Sequence, residues 1–186
     1  MQHLASRAAH ELKNPLNGAL LNVEVLRGRA TRAGLAAVAL APFADAAATE
    51  LARATELTEA LLALARPVAE PVDLSVALQP LFVLAGAVAR AEGSSVELAL
   101  APSALGRCAL AANAVRGTVA LALAGAVRDG AVVIASLAEQ GDELALRLNG
   151  AAALPAGMGT RIHEAGVRFD EVPRRVTLLF PRAAAG

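Results

Sequence analysis

Seven consecutive residues, His10-Glu11-Leu12-Lys13-Asn14-Pro15-Leu16, hold more potential chemistry than any other stretch of the chain. A neutral imidazole nitrogen is a competent nucleophile near pH 7, and a phosphoryl group bonded to it stays reactive enough to be passed on. Glu11 can hold the other ring nitrogen or take its proton, which keeps the attacking nitrogen free. Asn14 falls one helical turn beyond His10 on the same face, where its amide can hydrogen-bond a phosphoryl oxygen or a water. Pro15 has no N–H for the carbonyl of Glu11 and its ring crowds that carbonyl, so a bend beside the histidine is expected. Arg7 and Lys13 flank His10 by three residues on either side. Together with Asn17 they are candidates for meeting an incoming acidic protein, although a solvated helix face would carry the same residues.

The elements that must position these residues are helical. Ala5, Ala9, Leu12, Leu16, Ala19, Val23 and Leu26 recur at spacings of four and three, the seam of a helix in a left-handed bundle. His10 stands one position beyond the seam residue Ala9, which directs its ring to solvent. Arg27, Arg29 and Arg32, followed by Gly34, read as a helix C-terminus and a turn. A second series runs Leu40, Ala44, Ala47, Leu51, Ala54, Thr58, Leu61 and Ala65, with Leu57 and Leu64 widening the apolar stripe. Pro42 places the regular start of this helix near Phe43, and Arg66 to Pro71 reads as a linker. Two helices joined by a turn cannot enclose stripes this wide, so a second copy is expected to complete a four-helix bundle.

Beyond Pro71 the pattern becomes α+β. It predicts an extended piece at 72–74, a helix over 75–91, a turn at Gly93 and a strand through Val96, Leu98 and Leu100. A helix over 109–128 then leads to strands over 131–138 and 143–148, joined by a hairpin turn at Gly141-Asp142. A stretch rich in Gly, Ala and Pro separates these from closing strands over 166–169 and 175–180. The whole is read as two units, a helical hairpin at 1–66 that dimerises and a small α/β sandwich at 72–183.

Composition narrows the function classes. Hydrophobic residues make up 56% of the 186, so a core can be buried; they are mostly Ala, Leu and Val, which suits closely packed helices. Seventeen basic residues balance seventeen acidic ones, which leaves no field to draw the chain to nucleic acid or an anionic membrane, and the scarcity of aromatics argues against base stacking. The apolar run at 119–127 is far shorter than the roughly 20 residues of a membrane span. A single cysteine, Cys108, excludes an internal disulfide, and no Cys/His cluster has zinc spacing. Cys108 reads as a small buried hydrophobe, and His3 and His163 as surface residues. The expectation is a reducing cytoplasm, with no metal and no cofactor.

The segment His10 to Leu16 resembles the phospho-acceptor box of sensor histidine kinases, in which His-Glu-Leu-Lys/Arg-Asn/Thr-Pro-Leu opens the first bundle helix. It agrees in residue type at every position. The resemblance implies that His10 is phosphorylated, that Glu11 is its acid/base partner, that Asn14 belongs to a Glu-x-x-Asn/Thr arrangement, and that a receiver domain is the partner. In that family the following module binds ATP through an Asn-rich helix and an Asp-x-Gly-x-Gly turn. Here Gly125 stands where the magnesium-binding Asn would be, Leu148 where the adenine-reading Asp would be, and Ala152 in place of the second Gly. Gly157-Met158-Gly159 reads as a connector or a remnant of phosphate-side glycines.

The expectation is therefore a dimeric phosphorelay histidine phosphotransferase. His10 takes a phosphoryl group from a receiver aspartate, supplied by an upstream histidine kinase or hybrid receiver, and gives it to another. Its second unit would be a degenerate, ATPase-like domain. A divergent kinase charged from ATP, a non-catalytic module that binds a kinase or receiver, and a piece of a longer sensor are the alternatives.

Overall fold

The computed structural model describes residues 2–30, 40–99, 106–127 and 130–184, and of residues 2–6, 8, 9 and 30 the backbone alone. Two long helices come first, α1 (Gln2–Ala30) and α2 (Ala41–Ala65), packed side by side as a hairpin. α1 runs on through Pro15, and Arg27 and Arg29 occupy its last turn, where a cation is favoured by the exposed carbonyls. Arg29 also lies 4.4 Å over the ring of Phe43, fastening the end of α1 to the start of α2. α2 begins at Ala41, two residues before the expected regular start near Phe43, and Pro42 is accommodated in its first turn because its missing N–H belongs to a position with no helical acceptor. Seam residues Ala5 and Ala9 have side chains outside the described ones, and Arg32 and Gly34 lie outside the described residues.

The remainder is a mixed α/β unit: α3 (Leu74–Ala91), β1 (Ser95–Ala99), α4 (Ala112–Ala126), β2 (Val132–Gln140), β3 (Glu143–Asn149), α5 (Met158–Glu164), β4 (Arg168–Val172) and β5 (Arg175–Pro181). The sheet order is β1-β2-β3-β5-β4; β1 is parallel to β2 and every other pairing is antiparallel. Leu100 and Arg128, placed by the sequence in β1 and α4, lie outside the described residues. The main core packs α3 and α4 on one face of the sheet, with Leu144, Leu146, Leu148, Val176, Leu178 and Phe180 facing them. The alternation in β3 and β5 that fills this core follows from the period of two along a strand.

Three features differ from expectation. The extended piece at 72–74 is shorter, because Asp73 caps α3, its carboxylate accepting from the N–H groups of Ser75 and Val76 at 2.9 and 3.2 Å. The Gly/Ala/Pro stretch holds a helix, α5, which begins after Gly157 in a left-handed conformation (φ +81°) and buries Ile162. Finally, α3 is the one helix among the described residues long and apolar enough to cross a membrane, longer than the run at 119–127. It lies between the sheet and the hairpin, with 67% of it buried.

That position of α3 also changes the account of the hairpin. Leu57 and Ala60 of α2 pack with Leu84 and Ala87 of α3, and Leu12 of α1 joins them. One apolar side of the hairpin is thus covered by the chain itself. On the remaining surface Leu16, Leu20, Leu21, Val23, Leu51 and Leu62 stand 45–64% exposed.

Candidate functional site

His10 lies a third of the way along α1, exposed, and its ring has no hydrogen-bond partner among the described residues. Helical spacing puts Arg7, His10, Glu11 and Asn14 on one face at i, i+3, i+4 and i+7. Asn14 donates its amide to the Glu11 carboxylate, Nδ2 to Oε2, at 3.1 Å. The carboxylate is therefore held by the residue one turn away, and one of its oxygens is committed before any substrate arrives. Pro15 fills a buried position beneath this face, and Leu12 is anchored against α2 and α3. The result is a nucleophile presented outward from a helix whose other side is fixed by packing.

The candidate docking residues separate. Lys13 and Asn17 are exposed. Arg7 is engaged: its guanidinium forms an ion pair with Glu92, just past the end of α3. That contact ties the helix carrying His10 to the mixed α/β unit, and nothing in local spacing announces it, since 85 positions separate the partners.

Arg116, which the sequence reading passed over, is 3% exposed and has no carboxylate partner among the described residues. It reaches from α4 to four carbonyl oxygens: Nε donates to Ala77 (3.1 Å), Nη1 to Leu64 (3.0 Å) and Arg66 (3.5 Å), and Nη2 to Ala63 (3.3 Å). Three of these are carbonyls at the C-terminal end of α2, where helical acceptors lack intrahelical donors and the helix dipole favours a cation. Burial pushes the guanidinium pKa down from its usual value. Arg116 is a positioning residue that locks the end of the hairpin onto α4.

The positions that would serve a nucleotide and its magnesium in the resembling family do not fit one. Leu148 is fully buried in the core. A Cβ added at Gly125 would come within 2.7 Å of Met158 Sδ and 2.8 Å of Pro155 Cδ, so the segment leading into α5 occupies the space a longer side chain would need. The Gly157-Met158-Gly159 segment is thus packing, with Met158 seated on α4. Gly125→Asn is expected to lower stability by about 1–3 kcal/mol through overpacking, measured by urea denaturation, and to confer no saturable magnesium-ATP binding.

Cys108 is buried, its pKa pushed up by burial, with its sulfur accepting from the Leu110 N–H at 3.4 Å; it is unsuited to act as a nucleophile. His163 is exposed on α5, and the side chain of His3 lies outside the described ones. Asn113 is exposed at the start of α4, and Asp129 lies outside the described residues. No group of three or more His, Cys, Asp or Glu able to hold a metal occurs among the described residues.

Comparison with known proteins adds a sequence match to this geometry. The chain aligns over 95% of its length with 93% of a bacterial phosphotransferase of solved structure, at 15% identity and a TM-score of 0.43. It aligns over 73% of its length with 91% of the cytoplasmic segment of histidine kinase QseC, at 18% identity and a TM-score of 0.41. Among curated proteins none matches. Residues 1–70, which include the whole face around His10, match the His Kinase A (phospho-acceptor) domain, so the chain is histidine kinase-like over α1 and α2.

Proposed function

We propose that the chain is a phosphorelay histidine phosphotransferase of the cytoplasm, with the hairpin 1–66 carrying phosphoryl groups and the unit 72–183 as a degenerate ATPase-like domain. The observation that carries this reading is the exposed ring of His10, without a hydrogen-bond partner among the described residues, beside the Glu11–Asn14 pair. A ring nitrogen attacks the phosphorus of an aspartyl phosphate on a receiver domain. The P–N bond forms as the P–O bond to the aspartate breaks, and the aspartate leaves as a carboxylate. The second ring nitrogen can release its proton to Glu11, whose orientation Asn14 holds. The same steps reversed deliver the phosphoryl group to the next receiver, with Lys13 and Asn17 exposed on the route of approach.

Charging from ATP is disfavoured by the buried Leu148 and by the packing of Met158 and Pro155 against Gly125. The source of phosphoryl groups is then an upstream kinase or hybrid receiver. The direct test is to mix the protein with a receiver domain bearing labelled aspartyl phosphate. Label should leave the receiver and appear on this chain; a receiver that keeps its label beside the protein refutes the proposal.

We further propose that the working form is a homodimer, because Leu16, Leu20, Val23 and Leu51 leave apolar surface on the hairpin that α3 does not cover. Leu20→Lys combined with Leu51→Lys should convert the dimer to a monomer by light scattering with helicity retained. An unchanged dimer mass would place the interface elsewhere.

A further inference from the structure

A cleft of about 570 Å3 lies over the outer face of α4, and His10 is not part of its lining. Arg7 of α1 and Glu92 beyond α3 bound it on one side, and Arg161 of α5 on the other. Arg7 is the one residue it shares with the phospho-acceptor face; His10, Glu11 and Asn14 do not line it, and neither do Gly125 and Leu148. Its volume falls within the roughly 300–1,000 Å3 of pockets that hold small organic molecules.

The lining says which molecules. Ala85 and Val88 from α3 face Leu121 and Ala124 from α4 across an apolar trough. Gly117 also lines it, and among the described residues an added Cβ there would meet nothing within 4 Å, so the space is open rather than filled. Two polar groups are left without partners among the described residues. Thr118, 4% exposed, has a buried hydroxyl with no hydrogen bond, and the guanidinium of the exposed Arg161 has neither hydrogen bond nor ion pair. Arg7, by contrast, is neutralised by Glu92. The trough therefore offers apolar walls and one uncompensated positive charge at its edge.

We propose that this cleft binds a small amphipathic carboxylate, its apolar body along the trough and its carboxylate on Arg161. The guanidinium fork matches a carboxylate bidentately, and the small side chains of α4 leave room for a hydrocarbon chain beside it. The site stands on its own geometry and holds whether or not His10 transfers phosphoryl groups.

Calorimetric titration of the full chain with decanoate, kept below micelle formation, tests the site against decylamine of the same length. Decanoate should bind saturably and decylamine should not. Arg161→Gln should weaken decanoate by at least about tenfold, and Gly117→Leu, which puts an isobutyl group into the trough from a position where a Cβ is accommodated, should abolish binding with the melting temperature kept. Equal binding of decanoate and decylamine, wild-type affinity in Gly117→Leu, or no saturable binding to the parent would overturn the proposal. A Gly117→Leu variant that loses a receiver domain while the parent ignores decanoate would overturn it too, and would make the cleft a protein-docking surface.

Discussion

His10→Ala is expected to reduce phosphoryl acceptance from a labelled receiver to background while leaving circular dichroism, oligomeric state and melting temperature unchanged. The whole effect falls on chemistry because the ring is exposed and makes no hydrogen bond among the described residues, so its removal breaks no contact that stabilises the fold. Glu11→Gln should act differently. It keeps the size of the side chain and can still bond Asn14, but it loses the carboxylate that takes the ring proton, and transfer should slow by about 10²–10⁴-fold, the usual contribution of a positioned acid/base group. A Glu11→Gln variant with parental transfer rates would remove Glu11 from the mechanism and leave Asn14 as a surface amide. A His10→Ala variant that still takes up label would remove the nucleophile itself.

Arg116→Leu is expected to have the largest effect on stability. It removes the guanidinium donors from the carbonyls of Ala63, Leu64, Arg66 and Ala77 in a region where the arginine is almost fully buried; the Ala63 carbonyl keeps the Arg66 N–H at 3.3 Å. The loss of a buried, charge-assisted network of this kind costs about 2–4 kcal/mol, part of it offset by the apolar replacement. Urea denaturation should show that loss. Arg116→Lys should recover only a fraction, because an ammonium cannot spread over acceptors on both α2 and α3 as a planar fork does. The linker between α2 and α3 should become more open to proteases in both variants, since the end of α2 is no longer held to α4. Parental stability in Arg116→Leu would mean that the apolar contacts with α3 and the Arg7–Glu92 pair suffice to hold the hairpin.

These two sites show what the sequence makes legible and what it hides. The face around His10 can be read because its logic is local: spacings of three, four and seven along one helix determine which side chains are neighbours. The same periodicity places α1, α2, α3 and α4 to within a few residues, and the alternation in β3 and β5 gives the strands. Arg116 is hidden because its acceptors are backbone carbonyls 39 to 53 positions away, which carry no residue signature. Arg7 is half hidden, since it lies where expected on the helix but pairs with Glu92 from a different element.

The helix α5 is hidden for another reason. Seven residues give too short a window for a periodic pattern, and the flanking Gly, Ala and Pro read as a connector. Its order comes from tertiary packing, with Ile162 in the core and Met158 against Gly125. The apolar stripes of the hairpin raise a related point. Their width correctly says that α1 and α2 need more partners, but part of what covers them is α3. Amphipathic patterning reports how much surface needs covering and is silent on which element covers it.

The account rests on His10 as a relay point that is charged by another protein and not by the chain's own nucleotide. The most direct measurement follows acid-labile label through two reactions: the protein with radiolabelled ATP and magnesium alone, and the protein with the same ATP plus an active histidine kinase and its receiver. No label on this chain in the first reaction and label on His10 in the second is the predicted result. Label acquired from ATP alone would contradict the relay and make the chain a kinase, and absence of label in both reactions would leave no phosphotransfer for His10 to perform.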